Sequence, residues 1–166
     1  MGNDVDGLRI LGIDPGSRIT GYGVITQSKK NLYYVACGII KASPKLPFPE
    51  RIMVMHNGIC EVIEKHRPVC AAVEDVFFAK NPKSALKLGQ ARGAIIAAVM
   101  REKLTVAEYT PKRIKQTVVG YGQAGKEQVQ HMVKVLLKLS ASPSEDAADA
   151  LAAAICYANH MTIDTL

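Results

Sequence analysis

Four carboxylates in this chain stand at positions that could carry metal chemistry, two at strand ends and two on one helix face. Asp14 closes the aliphatic run LRILGID just before Pro15, Gly16 and Ser17. A strand end at the carboxyl edge of a sheet is where open α/β sheets bind ligands, although Asp ahead of Pro-Gly is also good turn chemistry. Glu74 ends a second aliphatic run, VCAAVE. A carboxylate there needs a partner or a cation to offset its desolvation. Asp146 and Asp149 lie three apart in SEDAADALAAA, so a helix puts them on one face. Favourable placement at a helix N-terminus accounts for Glu145 and Asp146 but poorly for Asp149. Asp75, next to Glu74, points to the opposite face if the strand continues and reads as surface.

If Asp14, Glu74, Asp146 and Asp149 meet, their charges repel unless cations neutralise them. Hard divalent cations on oxygen ligands do this, Mg²⁺ most commonly. Two such ions ~3.5 to 4 Å apart activate a water and stabilise the leaving oxygen at a phosphodiester. Spacing alone leaves open whether the four converge.

The elements that must position them come from a chain of 166 residues, 48% apolar and 22% charged, with three Phe, six Tyr and no Trp. That suits one domain, residues 1–166, with an aliphatic core and a dispensable tail at residues 1–7. Long disorder and coiled coil are excluded by composition. No apolar stretch approaches the ~20 residues of a membrane span and MGNDVDG is unlike a secretory signal, so a soluble, cytoplasmic protein with no membrane partner is expected. Cys37, Cys60, Cys70 and Cys156 form no C-x-x-C pair and read as reduced thiols. Charge is segregated. Residues 1–79 hold nine Lys/Arg and eight Asp/Glu, residues 80–138 twelve and three, and residues 139–166 none and four. A basic middle against an acidic end suggests a polyanion-binding face beside a carboxylate cluster, weighed against ordinary solvated surface.

Residues 8–13 read as a buried strand. TGYGVITQ and NLYYVACGII then read as a hairpin meander across Ser28-Lys29-Lys30-Asn31. Ile52, Met55, Ile59, Val62 and Ile63 mark a helix over 47–66 that Pro68 ends. VCAAVE is a strand, and a long helix from Asn81-Pro82 to Arg101 offers Leu86, Leu88, Ile95, Ile96 and Val99 for burial. LTVAEY is a further strand, followed by helices near 111–118 and 125–139 and a last helix from a Ser144 cap to about Met161. The order predicts an α/β fold, a mixed sheet with helices on both faces.

ILGIDPGSRITGYGVI at 10–25 resembles the opening of the RuvC-type crossover junction endodeoxyribonucleases, members of the ribonuclease H and integrase superfamily. VEDVFFAKNPKSALKLGQARGAI at 73–95, KQTVVGYGQAGKEQVQHMV at 115–133 and EDAADALAAAI at 145–155 resemble the remaining blocks in the same order. The resemblance implies a ribonuclease H-like fold with a mixed five-stranded sheet. It makes Asp14, Glu74, Asp146 and Asp149 a metal-binding tetrad for Mg²⁺, two ions per site with Mn²⁺ as substitute. It further implies a homodimer that nicks four-way DNA junctions symmetrically in recombination and repair, leaving 5′-phosphate ends, and that works with a branch-migration motor complex of the RuvA and RuvB type. Phe77 matches an aromatic that stacks on an unpaired base, with core packing of Phe77 or Phe78 as the alternative. Lys115 and Lys126 match catalytic cations near the scissile phosphate. Lys80, Lys83, Lys87, Arg92 and Lys112, in the same basic stretch, are read as DNA contacts. Gly89 and Gly93 would let another backbone approach, either the sheet or a second chain. Competing readings are a phosphate-binding fold of the actin and hexokinase type, which needs two such domains, and a non-catalytic junction-binding module.

Overall fold

The computed structural model describes residues 6–75 and 81–163. In chain order the elements are β1 (Leu8–Asp14), β2 (Ile19–Ser28), β3 (Asn31–Lys41), α1 (Phe48–His66), β4 (Cys70–Glu74), α2 (Pro82–Arg101), β5 (Thr105–Tyr109), α3 (Pro111–Val119), α4 (Lys126–Leu136) and α5 (Glu145–Ile163). The strands form one mixed sheet in the order β3-β2-β1-β4-β5. β1, β2 and β3 run antiparallel, and β4 and β5 add parallel to β1.

Local chemistry sets most boundaries. The buried Thr20 hydroxyl donates to the Gly16 carbonyl at 3.0 Å and accepts from the Gly16 N–H at 3.2 Å, which stitches the turn after Asp14. Asn81 caps α2 by accepting from the Ser84 N–H at 2.8 Å, and Thr110 caps α3 by accepting from the Arg113 N–H at 3.3 Å. The helix expected to reach residue 139 stops at Leu136, because the chain turns left-handed at Lys138, φ 53°.

Successive β1 residues feed two cores, as strand alternation requires. Ile10 packs with Ile25 and with residues of α3, α4 and α5 on one face, while Leu11 and Ile13 pack with Val24 and with α1 and α2 on the other. Leu86, expected in the core, is instead 70% exposed; α2 turns Ala91, Ile95, Ala98 and Val99 inward, and Leu86 lies off that stripe. Ile95 and Val99 are buried as expected.

The central feature is α5, whose residues Ala147, Ala148 and Ala150–Ala158 are all buried. Its backbone lies directly on glycines of the sheet. A Cβ at Gly12 would fall 1.8 Å from the Ala150 carbonyl oxygen, and one at Gly21 would fall 2.0 Å from that of Asp146. Gly12 is paired with Gly23, and Gly21 with Asp14. This trough of missing side chains fixes the depth of α5 beside the end of β1.

Candidate active site: a carboxylate cleft

Asp14 and Glu74 close two parallel neighbours, with Ile13 in register with Val73 just before them. Both project from the carboxyl edge of the sheet, and their side chains share a hydrogen bond. Two carboxylates can do so only around a proton. Burial raises the Asp14 carboxyl most, and the hydrogen bond and the charges of Glu74 and Asp146 raise it further, to about 9. Burial raises Glu74 too, against the lowering effect of the Asp14 hydrogen bond and of the charges on Lys115 and Lys126.

The two carboxylates of α5 reach this pair through their charge. Asp149, half-buried, is pushed up to about 6 by burial and then by the charge of Asp14, and Asp146 acts electrostatically on both Asp14 and Asp149. The structure thus brings the four predicted carboxylates into one electrostatic neighbourhood. The glycine trough supplies the closeness, since the Asp146 carbonyl rests on Gly21, the cross-strand partner of Asp14.

The donor set fits a hard cation. It is all oxygen, carries more negative charge than its burial tolerates, and holds a proton where a cation would relieve the repulsion better. Among the described residues no three His, Cys, Asp or Glu side chains are gathered tightly enough to form a metal cage alone. An open set of this kind suits Mg²⁺, which is usually held by one or two carboxylates together with substrate phosphates.

Two cations face the cleft. Lys115 is half-buried on α3 and lowers Glu74 through its charge. Lys126 opens α4, where a cation opposes the helix dipole. Its Nζ is paired with the Glu145 carboxylate, which raises the lysine, and its charge is felt by Asp14, Glu74 and Asp149.

The other expected contacts divide. Lys83 and Lys112 are exposed, and the Lys87 ammonium lies 5.5 Å from the centre of the Phe48 ring. Arg92, expected on the DNA face, is turned inward. Its Nε donates to the Glu74 carbonyl at 3.1 Å, and its Nη2 lies 3.1 Å from Glu108 and 3.6 Å from Asp75. It braces the end of β4, and Asp75 is engaged there. Phe77 and Lys80 lie outside the described residues. Sequence reasoning missed this brace and the role of Gly12, Gly21 and Gly23. The signal was glycine at alternate positions of strands otherwise aliphatic, which marks close backbone approach.

Comparison with known proteins follows the same outline. The family model described as crossover junction endodeoxyribonuclease RuvC matches residues 10–157. A protein of that name from Alkalilimnicola ehrlichii is 57% identical over 149 residues, covering 90% of each chain. Thermus thermophilus RuvC, solved in complex with a Holliday junction substrate, superposes with a TM-score of 0.88 at 34% identity, covering 95% of this chain and 97% of that one. The yeast mitochondrial Holliday junction resolvase Ydc2 shares the fold, with a TM-score of 0.68 at 16% identity over 95% of this chain and 82% of that one.

Proposed function

The chain belongs to the RuvC family of crossover junction endodeoxyribonucleases, and from that membership we propose that it resolves four-way DNA junctions by metal-assisted hydrolysis at the carboxylate cleft. The observation that carries this reading is the placement of Asp14 and Glu74 at the ends of adjacent parallel strands, within electrostatic reach of Asp146 and Asp149 on α5.

Nucleases of this family depend on metal, and the oxygen-only donor set favours Mg²⁺, two ions per site, with Mn²⁺ as substitute. Bound there, the cations supply an acidified water and Lewis-acid stabilisation of phosphorane charge. Asp14, Glu74, Asp146 and Asp149 would hold the cations, Asp14 in its deprotonated form. Asp149, which burial and the charge of Asp14 push up to about 6, would complete the ligand set and help position the attacking water. Water oxygen bonds to phosphorus, the bond to the 3′ oxygen breaks, and that oxygen takes a proton, leaving 5′-phosphate and 3′-hydroxyl ends. Lys115 offsets charge building on the phosphate, and Lys126 does so once it exchanges Glu145 for substrate.

Symmetric nicking requires two sites, and a homodimer supplies them. An exposed apolar stripe on α2 supports this state: Leu86 and Met100 are 70% and 56% exposed, and Gly89 and Gly93 between them face open space. Work alongside a branch-migration motor, a cytoplasmic setting and a single domain spanning 1–166 belong to the same proposal. No helix among the described residues is long and apolar enough to cross a membrane.

The test is strand cleavage of a synthetic junction with a short mobile core, comparing wild type with Asp14→Asn in Mg²⁺ and in EDTA. Paired nicks from wild type with metal alone are expected. Tight binding without nicks under any divalent metal would replace the nuclease by a junction-binding module.

A further inference from the structure

At the opposite end of the sheet from the carboxylates lies a recess of about 1250 Å³. It is walled by the β2–β3 hairpin on one side and by the ends of α3, α4 and α5 on the other. Gln27 in its wall pairs with Leu8, six residues along β1 from Asp14, which is roughly 20 Å along a strand. The catalytic reading uses none of it.

Its lining has a consistent chemistry. Lys30, Arg113 and Lys138 bring positive charge from three separate elements or turns, and among the described residues no carboxylate lines it. Arg113 is fixed in place. His160 Nδ1 faces the Cys156 carbonyl at 2.9 Å, so that nitrogen donates and Nε2 is left to accept from the Arg113 guanidinium. Tyr109 stacks on the His160 ring at 5.1 Å and also lies under Arg113. Between the cations the wall is apolar and aromatic, with Leu136, Tyr33 and Tyr34 exposed by 38%, 40% and 42%. Asn31–Tyr34, which line the recess, also begin β3, the outermost strand of the described sheet. The outer backbone of that strand is a ladder edge open to another strand.

We propose that this recess binds an acidic, extended peptide segment of a partner protein, its carboxylates paired with Lys30, Arg113 and Lys138 and its apolar side chains seated against Tyr34 and Leu136. Charge complementarity selects an anion, and two features select a peptide over nucleic acid. The edge of β3 offers a row of main-chain hydrogen bonds at the spacing of another extended polypeptide, and the leucine wall suits alternating aliphatic side chains better than sugar and phosphate.

Fluorescence anisotropy on the full chain tests this with three labelled probes: the hexapeptide Glu-Leu-Glu-Val-Glu-Leu, its Gln-for-Glu counterpart, and a six-residue oligothymidine. The expected result is saturable binding of the acidic peptide alone. Lys30→Glu and Lys138→Glu should each weaken it at least about fivefold while junction cleavage stays at the wild-type rate. Tyr34→Ala should weaken it without changing its salt dependence. Tighter binding of the oligothymidine, with loss in the same variants, would overturn the assignment in favour of a nucleic-acid site. Peptide binding untouched by either lysine reversal would overturn it as well, as would a change in oligomeric state with no peptide binding.

Discussion

Asp14 holds its proton to about pH 9, against 3.8 for an ordinary aspartate, and that displacement fixes how the metal-free protein responds to pH. Because the folded pKa is raised, the native state binds more protons than the unfolded chain between roughly pH 4 and 9, so stability falls as pH rises through that window. Asp149, raised to about 6, adds to the slope in its lower part. Asp14→Asn removes the main source of the penalty, so in EDTA it should unfold about 2 to 8 °C above wild type at pH 8 and nearly with it at pH 4.5. Equal melting temperatures at pH 8 would mean that the Asp14–Glu74 proton is absent. The same proton competes with the cation, so the Mg²⁺ concentration that half-saturates cleavage should fall as pH rises from 6.5 to 8.5, and a titration at four pH values would detect a flat response. Lys115 belongs to the same electrostatic group through Glu74. Lys115→Ala should slow single-turnover cleavage about 10² or more while altering junction affinity little; an equal loss in both would make it a simple phosphate anchor. Strand-end and helix-face positions marked the carboxylates as candidates in the sequence, while their convergence and the role of Lys115 rested on the resemblance to the RuvC family. The inward turn of Arg92 could not be read there, since a basic residue in a basic segment gives no hint that Glu108 and the Glu74 carbonyl will claim it.

Strands and helices were nearly all legible in the sequence, because Pro, Gly and capping residues punctuate them: Pro68 follows α1, Asn81 caps α2, and Thr110 caps α3. What the sequence did not disclose was the depth at which α5 sits, which depends on long-range packing. Gly12 and Gly21 determine it, and the distances are unforgiving, since a methyl group at either position would overlap a carbonyl oxygen of α5 at 2.0 Å or less. Gly21→Ala must therefore push α5 outward at the residue that carries Asp146. Overpacking of a rigid interior costs about 1 to 3 kcal/mol, and here the obstacle is backbone, which cannot rotate away. The expected outcome is a lower denaturation midpoint together with loss of cleavage exceeding the loss of folded protein at 20 °C. Cleavage falling only in proportion to unfolding would show that α5 keeps its place relative to Asp14. The end of β4 is held by a second device, the Arg92 brace, so the two halves of the cleft are positioned by independent elements.

On the scale of the whole molecule, positive charge concentrates in residues 80–138, while the four carboxylates of the cleft come from the stretches on either side of that segment and face Lys115 and Lys126 from within it. Such a distribution steers a polyanion to the site while leaving repulsion at the centre for cations to cancel. Junction affinity should therefore fall steeply with salt. The less obvious consequence concerns α2. A glycine inside a helix costs roughly 0.5 to 1 kcal/mol relative to alanine, and outside α2's own nearby backbone nothing among the described residues lies within 4 Å of a Cβ at Gly89 or Gly93. The described residues therefore give no reason for either glycine, while the proposed close approach of a second chain along the exposed Leu86–Met100 stripe would. Gly93→Leu separates the two explanations, because it adds helix propensity to the monomer and bulk to the interface. Sedimentation at micromolar concentration should show a monomer that melts no lower than the wild-type monomer, and junctions treated with it should accumulate single nicks rather than paired ones. A variant that remains dimeric and still nicks in pairs would place the contact between subunits on another face and leave the α2 glycines without a physical account.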